Sequence, residues 1–194
     1  MNLNDLSALA MDTLREPRAT AERLLAQDVG MPTLWLALSL AAVLNALLVG
    51  VNMVLFPTAN FPLPPIFLNP LVYAATMAAG LAFSIFVLTW VGGKMGGRAR
   101  LEEVAVLLIW LQYLRLAAQV LLLVMTLLIP VLAIVATFAI AIYSFYLLLT
   151  FLDVAHRFGS LGKSALVIVF SFLGVIFALS MLLTLLGVTT PEMS

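Results

Sequence analysis

Few side chains in this sequence are equipped for chemistry, and their spacing limits what they can do. His156 is the single histidine and stands in Asp153-Val154-Ala155-His156-Arg157. The acid at i−3 shares its helical face, yet no serine elbow and no second ligand accompanies the pair. Glu102 and Glu103 are adjacent, so on a helix their carboxylates point about 100° apart and make no acid–base pair. Gly92-Gly93-Lys94-Met95-Gly96-Gly97 imitates a phosphate loop, but no strand precedes it and Met95 stands where Ser or Thr belongs. A flexible basic turn near anionic headgroups is expected instead. The chain has no cysteine, which removes disulfides, thiolate metal sites and cysteine nucleophiles together. No catalytic residue, metal or cofactor is expected, and the chain reads as no enzyme.

The remaining chemical feature is Arg115. It lies about 18 Å past Glu103 at 1.5 Å per residue, deep in an apolar run. Gln112, Arg115 and Gln119 share one face at spacings of three and four. An unpaired guanidinium facing lipid would cost from about 2.5 kcal/mol upward at mid-helix. Arg115 is therefore expected to face protein, in a polar layer with Gln112, Gln119, Asn45 and Tyr143; Thr76 and Ser180 fall near the same depth. Two readings stay open. The layer is a cavity for a lipid headgroup, ion or substrate, or it is polar glue between helices.

These residues need elements to hold them, and the missing charges define those elements. No Asp, Glu, Lys or Arg occurs in residues 29–93, 116–152 or 164–191. The chain of 194 residues is 64% hydrophobic and 9% charged, against about 25% charged in soluble proteins. Spans are expected at about Met31–Leu55, Leu71–Val91, Val104–Leu128, Val131–Leu152 and Ala165–Gly187, each near the 20 residues that cross a bilayer. The first begins too late and runs too long for a secretory signal. A single helix over residues 104–152 would be roughly 70 Å long, so Pro130 must mark a tight reversal. Thr76, Ala79, Gly80 and Ser84 give the second span a small-residue face suited to close helix approach. The fold class is an all-α polytopic bundle of five transmembrane helices with an N-terminal interfacial amphipathic helix. The domains are residues 1–30 and 31–190.

Basic residues set the orientation. Arg18 and Arg23 precede the first span; Lys94, Arg98 and Arg100 follow the second; Arg157 and Lys163 follow the fourth. These seven are expected to face headgroups. The alternate connectors hold no Lys or Arg, which places the N-terminus in the cytoplasm and the C-terminus outside. Zero net charge gives a nucleic-acid partner no electrostatic support. Leu3, Leu6, Ala10 and Leu14 at helical spacing predict a helix lying along the cytoplasmic surface, or a docking site for a cytosolic partner. Five prolines within residues 56–70 predict a stiff, extended outer connector with polyproline character.

Three segments together resemble the bacterial branch of the Yip1 family of integral membrane proteins. Glu16-Pro17-Arg18-Ala19-Thr20-Ala21-Glu22-Arg23-Leu24-Leu25 resembles the family's element before the first span. Gly92 to Gly97 followed by Leu101-Glu102-Glu103 resembles its glycine-rich inner loop, and Ala155 to Ala165 its loop before the last span. The Asp-Leu-Tyr-Gly-Pro motif of eukaryotic members is absent, which weakens any transfer of their roles in vesicle traffic and small-GTPase binding. The resemblance implies a five-span, non-enzymatic membrane protein. The expected function is an interaction or organising factor, or an accessory subunit of a larger inner-membrane complex, whose partners are the bilayer and other membrane proteins or further copies of itself. The alternative is a small transport or lipid-handling protein using the Arg115 layer.

Overall fold

Proline and charge fix where the helices begin and end. The computed structural model describes residues 3–56 and 64–185. Two short helices, α1 (Leu3–Arg15) and α2 (Pro17–Leu25), are split at Glu16-Pro17. Pro17 opens α2 at a position where its missing N–H costs nothing. The long helices are α3 (Met31–Leu55), α4 (Pro70–Lys94), α5 (Leu101–Leu128), α6 (Pro130–His156) and α7 (Leu161–Leu185). No strand occurs among the described residues. Five helices are long and apolar enough to cross a membrane, as the charge pattern predicts. Boundaries shift by a few residues: α4 runs through Gly92 and Gly93 to Lys94, and α5 starts at Leu101.

Ile129 alone separates α5 from α6. Its N–H bonds to the Met125 carbonyl at 2.7 Å, and its own carbonyl accepts from Ala133 at 3.1 Å. The two helices close one α-ladder and open the next with nothing between. Of the prolines at 56–70, Pro65–Leu68 form a 3₁₀ turn before Asn69 caps α4. The expected polyproline stretch otherwise lies outside the described residues, as does the end of the fifth expected span.

The helices enclose α5, which touches α3, α4 and α6, while α7 closes the far side against α4 and α6. The buried residues gather toward the end that carries the basic connectors. They include Leu34 and Leu38 of α3, Ile85 and Leu88 of α4, Val104, Leu107 and Leu108 of α5, Phe151 and Leu152 of α6, and Val167 of α7. Toward the Pro130 end the helices are exposed, with Ala133 the buried residue closest to the turn.

The N-terminal segment is helical, as expected, and is held by the other helices to an extent its apolar stripe does not predict. It is a bent pair tucked against the bundle. Thr13 is fully buried; its hydroxyl donates to the Leu9 carbonyl at 2.7 Å and accepts from Trp110 Nε1 at 3.1 Å. Tyr143 donates to the Leu14 carbonyl at 2.7 Å. Tyr143 sits roughly 20 Å in from the basic end of α6 by helical rise. The break at Pro17 lets α1 turn down toward it while α2 packs on α5 and α6. The small-residue face of α4 also departs from expectation. Thr76, Ala79, Gly80 and Ser84 are exposed, and a Cβ on Gly80 would meet nothing within 4 Å. Among the described residues no other helix covers that face.

Candidate functional site

At the basic end two charged clusters fasten the helices to one another. Asp153, 3% exposed near the end of α6, takes Arg18 of α2 as an ion-pair partner through Oδ2. Its Oδ1 accepts the Ser160 N–H at 2.8 Å, which ties down the turn into α7. A buried carboxylate without these partners would carry its full desolvation penalty. One side chain thereby joins the N-terminal pair, α6 and the entry to α7.

Glu103, in the first turn of α5, forms the second cluster. Its Oε2 accepts the Arg100 N–H at 2.7 Å, capping the helix. Arg157 grips the same carboxylate with both guanidinium ends, at 2.7 and 3.3 Å. It also donates to the carbonyls of Ala155 at 3.1 Å and Arg98 at 3.3 Å. The Glu103 carboxylate holds the guanidinium above its already high ordinary pKa. Arg157 ends α6 in the left-handed region, φ 57° and ψ 39°. Glycine takes that position most easily; an arginine there gains the bidentate pair.

Between the clusters His156 is 1% exposed and stacks on Phe158, ring centroids 5.1 Å apart. Neither ring nitrogen makes a hydrogen bond of ordinary geometry, although the Leu88 backbone bears on the ring. Gly92 and Gly97 lie against the ring so closely that a Cβ on either would collide with it. The glycine connector is therefore an ordered turn. Gly97 N–H bonds to the Gly92 carbonyl at 2.9 Å, and Arg98 N–H to the His156 carbonyl at 3.1 Å. The expected flexible loop is replaced by a socket, because the histidine ring needs the space that glycine leaves. The clusters border a cleft of about 630 Å³ lined by Arg18, Glu22, Glu103, Asp153 and Arg157.

The expected mid-depth layer divides. Asn45, 3% exposed, donates to Gln119 Oε1 at 3.3 Å and accepts from the Tyr73 hydroxyl at 3.2 Å. Asn45 and Gln119 thus meet as the depth argument predicts, with Tyr73 added. Tyr143 is instead committed to Leu14. Thr76 bonds back to the Val72 carbonyl, and Ser180 accepts from Thr184. Gln112 is half-buried. Arg115 is exposed and makes no hydrogen bond or ion pair with the described residues, contrary to the expectation that it faces protein. It continues the stripe Val104, Leu108, Leu111, along which exposure rises from 1% at Val104 and 8% at Leu108. The stripe emerges from the core as the helices part.

The basic residues divide too. Arg18, Arg23 and Arg157 are in ion pairs with Asp153, Asp12 and Glu103. Arg100 lies 3.9 Å from Asp28 and 3.8 Å from Glu103. Lys94, Arg98 and Lys163 are exposed, and Lys94 rests over the Trp90 ring at 5.7 Å. No group of three metal-ligating side chains occurs among the described residues.

Five bilayer-length helices with a bent helix pair clamped to one end define an integral membrane protein of polytopic helical type. Residues 11–182 match the Yip1 domain. The chain belongs to the Yip1 family, and the match runs from α1 to α7. No curated protein and no solved structure matches it.

Proposed function

We propose that this protein is a non-enzymatic interaction or organising factor, an accessory subunit of a larger complex in a bacterial cytoplasmic membrane. In this reading residues 1–30 form the cytoplasmic unit and residues 31–190 the five-span unit, with the C-terminus outside. One observation carries the proposal. Four charged side chains of the cleft are already paired within the chain, Arg18 with Asp153 and Arg157 with Glu103. They fix a surface made of α2 and the ends of α5 and α6, and they do not converge on an empty point where a substrate would react. A fixed surface on a protein with little mass outside lipid suits docking.

Purification in mild detergent tests this, with co-purifying chains identified and their stoichiometry measured. A companion in fixed ratio to the wild type and absent from an inserted, folded Asp153→Asn variant supports the reading. A chain that purifies alone at native expression removes it. Reporter fusions at Met95 and Ser160 should read cytoplasmic, and those at Asn60 and Ser194 outside; the reverse assignment overturns the orientation.

A second reading has its own support in Arg115, a mid-helix cation exposed on the stripe that leaves the core. As a lipid-handling or transport residue it would meet an anionic group there. Arg115→Leu would then abolish binding of that group in a protein that still folds.

A further inference from the structure

Behind α3, α4 and α5 lies a second cavity, apolar and of about 190 Å³. It is walled by Met31 and Trp35 of α3, Ala82 and Phe86 of α4, and Leu101 and Ala105 of α5. An engineered cavity of roughly 150 Å³ lined by aliphatic side chains takes up benzene, so this one has room for a length of hydrocarbon chain. Its position is informative. Met31 and Leu101 are the first residues of their helices, and Lys94 is the last of α4. The cavity therefore starts at the basic end of α3 and α5, while its α4 wall, from Ala82 to Phe86, lies at least two turns in from Lys94. Its wall on α5 reaches Ile109, roughly 12 Å along the helix axis. Half of a bilayer core is about 15 Å. The cavity has the depth of one leaflet.

Charge at the mouth selects among lipids. Lys94, Arg98 and Arg100 stand at this end, against the acids Asp28 and Glu102; Glu103 is engaged by Arg157. Lys94 and Arg98 make no ion pair among the described residues. Arg100 lies 3.9 Å from Asp28, which is almost fully exposed, and 3.8 Å from Glu103, which Arg157 already grips, so a phosphate draws Arg100 away without leaving a buried charge unpaired. Trp35 and Trp90 are both about half exposed, as rings are at headgroup depth. In hydrocarbon an apolar groove gives a tail no transfer energy; preference has to come from the headgroup.

We infer that this groove holds one acyl chain of an anionic glycerophospholipid from the leaflet at the basic end, with Arg100, Lys94 and Arg98 around its phosphate. The inference is independent of the accessory role proposed above. Trp35 is its reporter. A full-length chain with Trp90→Phe and Trp110→Phe keeps Trp35 as the sole tryptophan. It is placed in phosphatidylcholine vesicles doped with phosphatidylglycerol brominated on its chains, or with phosphatidylcholine brominated in the same way. Quenching by the brominated phosphatidylglycerol should exceed that by the brominated phosphatidylcholine at equal mole fraction. Each engaged cation contributes roughly fivefold to the preference, so Arg100→Gln should reduce it by about that factor. Ala105→Phe fills the groove and should abolish the preference; Ala82→Phe does the same from α4 if the first variant does not fold. Equal quenching by the two lipids overturns the inference. So does a preference that survives both groove-filling variants, since it would then belong to lipids gathered around the protein.

Discussion

The two ends of the bundle are built differently. At the basic end Glu103, Asp153, His156, Ser164 and Thr150 are all buried, and side chains far apart in sequence are joined. Toward the Pro130 end Val131, Ile134, Val135, Phe138 and Ile142 are exposed on α6, as are Leu71 on α4 and Val54 on α3. That end is the more apolar and yet the less packed. In water this would be a contradiction. In a bilayer it follows from the solvent, because lipid tails are as apolar as leucine and gain nothing by being replaced. Helices close up where polar groups need each other and part where they do not.

Substitutions that break this contrast should fall in a definite order. The largest effect belongs to Gly92→Leu, which drives a side chain into the His156 ring. Overpacking of that kind costs about 1–3 kcal/mol and occasionally more, and loss of folded protein on detergent gel filtration is the expected result. Asp153→Ala comes next, stranding Arg18 and the Ser160 N–H. A drop of about 2 kcal/mol is expected, with amide exchange rising in α1, α2 and the start of α7 while the Pro130 turn is unchanged. Uniform loss of protection along α6 would show that the ends are coupled after all. Arg157→Lys keeps the charge, loses the bidentate grip on Glu103 and leaves a lysine in the left-handed region. About 1 kcal/mol is expected, measured by thermal unfolding in micelles. Asn45→Ala removes two polar links between helices, and such contacts average about 0.6 kcal/mol in membranes. Phe138→Ala, on an exposed face, should move stability by less than about 0.5 kcal/mol. An effect as large as that of Asp153→Ala would mean that a partner covers the face.

The sequence made the helices, the Pro130 reversal and the meeting of Asn45 with Gln119 legible, because each follows from periodicity, length or depth. The clamps were hidden for a physical reason. Arg18 and Asp153 lie 135 residues apart, and no local pattern pairs an arginine before the first span with an acid after the fourth. In the sequence Arg18 stands out only as a charge near a headgroup, and Asp153 only as the acid three residues before His156. Tyr143 was placed at the right depth but assigned the wrong neighbour, since the bend at Pro17 that brings Leu14 to it leaves no mark on a helical wheel. Arg115 failed differently. Its angle on α5 continues the buried stripe, and the angle alone does not reveal that the helices separate at that depth.

The one-residue turn at Ile129 has a consequence for how the protein is made. Residues 116–152 contain no ionisable acid or base of the Asp, Glu, Lys or Arg kind, and nothing but Ile129 has to pass between the helices it joins. In the orientation proposed above, carrying this turn across the bilayer moves no formal charge and no length of bare backbone, the two things hydrocarbon opposes most. The fourth crossing cannot lag far behind the third, because no loop exists to wait on the far side. In that orientation α5 and α6 are expected to enter the membrane as a single hairpin, and Arg18, which pairs with Asp153 near its end, has already emerged from the ribosome.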